Sequence, residues 1–82
     1  MGMYVANVEG WTISVSVWID HTGTLMATGW FERDSDGTGG NLYFVTKGLG
    51  FELEDYNGTT DLPQTVTDCL RSAGVIVDSE FD

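Results

Sequence analysis

His21 and Cys69 are the single histidine and single cysteine of this chain, and they limit the chemistry it can perform. A structural zinc centre takes about four Cys, His or carboxylate ligands in a tetrahedron. His21 stands in a turn-forming run, His21-Thr22-Gly23, with no second histidine or cysteine to share an ion, and it reads as a solvated turn residue. Cys69 falls on an apolar stripe, where a thiol behaves as a small hydrophobe; a nucleophilic thiolate would need a neighbouring base and an electropositive setting. The run Asp34-Ser35-Asp36-Gly37 opens like a calcium loop, but the twelfth position from Asp34 is Val45, where that loop requires a bidentate glutamate. Gly37, Gly39 and Gly40 are followed by no Lys-Ser/Thr pair and open no helix, so they form no phosphate cradle. No set of nucleophile, base and oxyanion donors emerges. The expectation is a protein that is not an enzyme, with no cofactor and no metal.

Two other groups carry physical meaning. The first is acidic: 13 Asp and Glu against 3 Lys and Arg give a net charge of −10. Glu52 and Glu54 alternate along an expected strand, and alternate strand positions lie roughly 6.6 Å apart on one face. Asp55 follows them, Asp34 and Asp36 form a loop cluster, and Asp78, Glu80 and Asp82 form a tail. Such a field repels nucleic-acid phosphates and anionic lipid, and steers the molecule toward basic protein clefts. Glu52, Glu54, Asp55, Asp34, Asp36, Asp78 and Glu80 are therefore the expected partner-binding residues. The second group is Trp18, Met26 and Trp30, which fall on the mainly polar side of an amphipathic hairpin. Either they are covered by the N-terminal segment or the Val75–Val77 run, or they form a homodimer or partner face, since tryptophan is enriched in interface hot spots.

The elements that must position these residues follow from the hydrophobic pattern. Trp11, Ile13, Val15, Val17 and Ile19 alternate with Thr12, Ser14 and Ser16, which is the period of a half-buried strand. A three-residue loop with Gly23 in the left-handed position then pairs Ile19 with Leu25, Val17 with Ala27, Val15 with Gly29 and Ile13 with Phe31. That register keeps every apolar partner on one face, and a one-residue slip would destroy the match. Glu32 to Asn41 reads as a flexible connection, Leu42–Thr46 as a third strand and Leu49–Tyr56 as a fourth, with Phe51 and Leu53 inward and Glu52 and Glu54 outward. Tyr4–Val8 could add a short strand. Asp61 is the expected N-cap of a helix with Pro63 in its first turn, carrying the stripe Leu62, Val66, Cys69, Leu70 and Ala73 and ending at Gly74. Val75–Val77 then runs extended beside the sheet. The fold class is α+β: an antiparallel sheet of about four strands with one C-terminal helix packed on one face.

At 82 residues the chain is expected to form a single domain over 1–82, and 41% apolar residues with 12% aromatics exclude an acidic disordered chain. No apolar run approaches the ~20 residues of a membrane span. No basic segment precedes an apolar one as in a signal peptide. A lone cysteine suits a cytoplasmic setting.

In size, charge and layout the chain resembles the small phage-encoded inhibitors of bacterial defence, the anti-CRISPR proteins and DNA-mimic anti-restriction proteins. Glu52, Glu54, Asp55, Asp34, Asp36 and the acidic tail carry the resemblance, which covers the whole chain as composition. It implies a stoichiometric inhibitor that occupies the nucleic-acid channel of a CRISPR effector or a subunit surface beside it. The competing reading is an acidic accessory or housekeeping module whose charge reflects a high-salt host.

Overall fold

The computed structural model describes residues 2–82. Its five strands are β1 (Gly2–Val8), β2 (Trp11–Ile19), β3 (Leu25–Arg33), β4 (Gly39–Lys47) and β5 (Gly50–Gly58), followed by α1 (Gln64–Ser72) and a single 3-10 turn (Ser79–Phe81). The strands form one antiparallel meander in the order β1-β2-β3-β4-β5. The α+β class and the antiparallel sheet are as expected, but the sheet has five strands rather than about four. The additional edge strand exists because Glu9 (φ 52°) and Gly10 (φ 83°) both take left-handed conformations between the paired residues Val8 and Trp11. That is the two-residue turn whose twist matches a hairpin. No helix among the described residues is long and apolar enough to cross a membrane.

The β2–β3 hairpin has the register expected from its pattern, with Ile19, Val17, Val15 and Ile13 opposite Leu25, Ala27, Gly29 and Phe31. Gly23 (φ 85°) supplies the left-handed residue of its loop. The β3–β4 connection is shorter than its composition suggests. Arg33 N–H donates to Thr38 C=O (2.7 Å) and Gly37 N–H to Arg33 C=O (2.8 Å), so pairing resumes at Gly39. Gly39 and Gly40 cannot carry a side chain there. A Cβ at Gly39 would enter the Phe31 carbonyl and one at Gly40 the Asn57 carbonyl, because the backbones of β3, β4 and β5 converge at this end. Pairing of β4 with β5 shifts between Tyr43 and Phe44, where Glu54 is the extra residue. This bulge lets both Leu53 and Tyr56, three positions apart, turn to the core side.

The helix begins later than expected. Its N-cap is Pro63, with no side-chain cap, and Asp61 lies ahead of it, so Asp61 is not the cap. Proline in this place forgoes an N–H that a helix start would leave unpaired. Val66, Cys69 and Leu70 are buried as the stripe requires, with Leu62 just before the helix, while Ala73 is exposed. At the C-terminus Gly74 (φ 93°) donates to Arg71 C=O (3.0 Å), and Val75 N–H donates to Leu70 C=O (3.0 Å). This is a glycine-terminated double cap that reverses the chain. The reversal carries Val75–Val77 to the edge of β5. There Leu53 N–H donates to Ile76 C=O (2.8 Å) and Ile76 N–H to Phe51 C=O (2.9 Å), a parallel bridge. Ile13, Val15, Ala27, Phe31, Leu42 and Leu53 of the sheet share one buried cluster with Leu62, Val66, Cys69, Leu70 and Val77. The main sheet contacts of α1 are with β1 and β2.

Candidate interaction surface

Strand alternation divides the sheet between two environments. At the core parity of β2 and β3, Ile13, Val15, Ala27, Gly29 and Phe31 are buried, Trp11, Val17 and Leu25 are half-buried, and Ile19 and Arg33 emerge at the strand ends; residues of opposite parity form a second, outer face, on which only the small Ser14 is buried. Across this face the register aligns Val5, Ser14, Trp30, Asn41 and Asn57 in one row and Met3, Ser16, Thr28, Tyr43 and Asp55 in the next, with Trp18 opposite Met26 beyond. Trp18 is 39% exposed, Met26 37%, Trp30 42%, Tyr43 41%, Met3 70% and Val5 59%. Neither terminal segment covers them: β1 lies edge to edge with β2 and widens the face, and Val75–Val77 sits at the far edge on β5. The covered alternative for Trp18, Met26 and Trp30 is thereby overturned. Met3, Val5 and Tyr43 extend the face and were not anticipated. The signal for the first two was the alternation Met3, Val5, Asn7 against Tyr4, Ala6, Val8, which acquires a face only once β1 is paired.

The acids fall into two groups by what their oxygens do. Glu54 is exposed at the bulge, and Glu54, Asp78 and Glu80 make no side-chain hydrogen bond or ion pair among the described residues. Asp55 is exposed and accepts only the neighbouring Tyr56 N–H (2.8 Å). Glu52 is half-buried and meets Lys47 Nζ at 3.7 Å. Glu52, Glu54 and Asp55 thus line the β5 side of the sheet beside Tyr43, while Asp78 caps the start of the 3-10 turn and Glu80 lies within it. Asp82 pairs with Arg71 at 2.9 Å. All three cations of the chain are engaged internally: Arg33 with Asp36 (3.4 Å), Lys47 with Glu52, and Arg71 with Asp68 (3.7 Å) and Asp82.

Asp34 and Asp36 belong with Asp20 in a different group, which organises loops. Asp34 accepts the Thr12 hydroxyl (2.6 Å) and the Asn7 amide (2.6 Å), clamping the β3 exit to the β1–β2 hairpin. Those bonds favour the carboxylate and hold its pKa below the ordinary 3.8. Asp36 accepts the Thr38 N–H (3.1 Å) and hydroxyl (2.8 Å), and Asp20 accepts the Thr22 hydroxyl (2.5 Å) and the Thr24 N–H (3.0 Å); both are lowered for the same reason. Asp34 and Asp36 are exposed and Asp20 is half-buried, yet all three are spoken for. The structure does not gather all the expected partner-binding acids into one site: Asp34 and Asp36 lie at the opposite end of the β3–β4 region from the Lys47–Gly50 turn.

His21 is exposed in its turn. The Cys69 thiol is buried and lies 3.3 Å from the Tyr4 hydroxyl. That hydrogen bond, with some desolvation, raises the Tyr4 pKa above its ordinary value. Among the described residues no three His, Cys, Asp or Glu side chains are grouped to hold a metal ion. What the fold and surface define is a small antiparallel sheet protein with one open face and one acidic edge. Compared with protein-family models, curated proteins and solved structures, the chain matches none.

Proposed function

We propose that this protein is a non-enzymatic binding module that seats a basic protein surface on its β5 edge and outer face. The surface would belong to a nucleic-acid-binding defence complex of CRISPR type, which the module inhibits by blocking the nucleic-acid channel. The observation that carries this reading is the pairing of charges: every cation is consumed within the chain, while Glu54, Asp78 and Glu80 have no partner among the described residues. A field left unneutralised on a rigid scaffold acts outward and accelerates encounter with a basic cleft. Tyr43, opposite Asp55, and Trp30, two strands from β5 on the same face, add aromatic area, which supplies hot spots where charge alone gives mostly on-rate. Within the chain itself, the Arg33 guanidinium lies 5.0 Å from the Trp11 ring centre while pairing with Asp36. The same combination of aromatic face and carboxylate is offered by Tyr43 with Asp55, and an arginine of the partner fits it.

The test is a set of reconstituted CRISPR effector complexes, each assayed for target-DNA binding with and without the protein. One complex should lose DNA binding at stoichiometric protein. The pair Glu54→Lys and Asp55→Lys should abolish the effect while the far-ultraviolet dichroism is unchanged. A protein that folds only in molar salt, and that inhibits no complex, would instead support charge as an adaptation to a high-salt host.

A further inference from the structure

The two edges of the sheet are built differently. An edge strand exposes unpaired backbone N–H and C=O groups and invites another strand, so proteins guard edges with charge, bulges, proline or a covering segment. The β5 edge has three such guards: Glu52, Glu54 and Asp55 on the strand, the bulge at Glu54, and the Ile76 bridge across Phe51 and Leu53. The β1 edge has none among the described residues. Gly2–Val8 contains no charged residue and no proline, pairs with β2 through seven consecutive partners without a bulge, and has no strand of the described residues beyond it in the sheet. In a chain of net charge −10, an uncharged stretch of this length at an open edge is an unprotected template.

We propose that the chain forms a two-fold dimer by antiparallel pairing of β1 with β1 of a second copy, joining two sheets into one of ten strands. Three features select a second copy as the occupant. First, the strand complements itself. Centred on Val5, Tyr4 pairs with Ala6 and Met3 with Asn7, so core-side residues meet core-side residues and outer residues meet outer ones, as an isologous contact requires. Second, charge permits it. Adjacent strands lie about 4.8 Å apart, placing the β5 acids roughly 19 Å from the β1 edge, beyond a Debye length of about 8 Å at physiological salt. Nearer β1, Glu9 accepts from the Thr65 hydroxyl (3.1 Å) and Asp34 from Asn7 and Thr12, neutral partners that leave both charged, while Asp68, beside Tyr4 and Val8, is paired with Arg71 (3.7 Å); screening at physiological salt limits the repulsion that remains. Third, Met3 and Val5 would become the centre of an outer face continuous across both copies. Strand addition alone buries less than the ~1,200–2,000 Å2 of a stable interface, so the dimer dissociates on dilution.

Sedimentation equilibrium of the full chain over a range of concentrations, with amide hydrogen exchange of β1, tests this. The wild type should show a monomer–dimer equilibrium, with β1 amides protected increasingly as concentration rises. Val5→Lys, at an exposed outer position, should be monomeric with the same melting temperature as dilute wild type. Val5→Cys should give a disulfide-linked dimer on oxidation, while Trp30→Cys should not. Should Val5→Lys fail to fold, formation of the Val5→Cys cross-link supports the pairing and its failure overturns it. A wild type that stays monomeric with concentration-independent β1 exchange would overturn the proposal. So would a dimer that survives Val5→Lys but is lost in Trp30→Ser, which would locate the contact on the broad face. None of these outcomes depends on the inhibitory reading.

Discussion

The inner and outer faces of the sheet are made from the same strands, yet they obey different rules. Inward, Ile13, Val15, Ala27, Phe31, Leu42 and Leu53 are buried, and their neighbours in the cluster come from every later element of the chain. Outward, Ser14, Ser16, Thr28, Asn41 and Asn57 alternate in the register with Trp18, Met26, Trp30 and Tyr43, and no element lies over them. The inner face is shaped by exclusion of water and tolerates no polar atom without a partner. The outer face is shaped by compromise. The exposed side chains of Thr28, Asn41 and Asn57 keep it soluble, Ser14 being buried beneath its neighbours, and its rings remain available for contact. Stability and interaction are thus separated by one residue of strand parity.

The sharpest way to break this comparison is to place the same charge on adjacent residues. Val15→Asp buries a carboxylate among apolar side chains with no cation near. The loss should equal the whole stability of a domain this size, about 4–12 kcal/mol at 0.05–0.15 kcal/mol per residue, and the chain should be unfolded in dichroism. Ser16→Asp, on the outer face, should remain folded with a melting temperature within a few degrees of wild type. Equal losses would mean that the two faces are not distinct.

A smaller effect separates packing from display. Phe31 is 1% exposed and touches the rings of Trp11 (centroids 6.0 Å apart) and Tyr56 (6.4 Å). Phe31→Ala should cost about 3–5 kcal/mol in denaturant unfolding, through lost transfer energy and a cavity. Trp30→Ser, the preceding residue, should cost about 1 kcal/mol while removing most of the binding to any partner that uses the outer face. If Trp30→Ser is as damaging as Phe31→Ala, the outer face is covered in solution.

How much of this was legible follows from the range of the forces involved. The β2–β3 register was readable because ten residues of alternation, broken only by Trp18, meet a second alternating run across a short loop, and a slip would invert both faces. The Gly74 stop and the Val75–Val77 approach to the sheet were readable because a left-handed glycine redirects the chain locally. The β1 strand was only half legible. Its residues alternate weakly, and its existence depends on Glu9, a non-glycine residue, adopting φ 52°. The shift of the helix start from Asp61 to Pro63 was hidden because both residues suit a helix entrance. The roles of Asp34 and Asp36 were hidden for a different reason. Composition registers a carboxylate as a charge, whereas its loop partners, Asn7 and Thr12 for Asp34, lie more than twenty residues away. The openness of the outer face was undecidable from sequence, since covering it depended on where both termini went.

The smallest effect expected concerns those loop acids, and it separates outer-face polar groups that hold the fold from those that do not. Asp34 accepts from both Thr12 and Asn7, and its folded-state pKa lies below the ordinary 3.8 because those bonds favour the ionised form. A carboxyl lowered on folding contributes stability that is present above its unfolded pKa and is lost as pH falls through the folded value. Asp34→Asn removes that contribution and leaves an amide N–H facing the Asn7 amide. The wild type should therefore melt above Asp34→Asn at neutral pH by a few degrees, and the gap should close as pH falls below about 3.8. Glu54→Gln is the control. Glu54 makes no hydrogen bond among the described residues, so this variant should melt no lower than wild type at neutral pH, and slightly higher at low salt where repulsion among the acids is unscreened. A pH-independent gap for Asp34→Asn would show that shape, not charge, fastens the β3 exit to the first hairpin. Loss of stability in Glu54→Gln would mean that the β5 acids hold the fold, and the division between acids that organise loops and acids that face outward would fall.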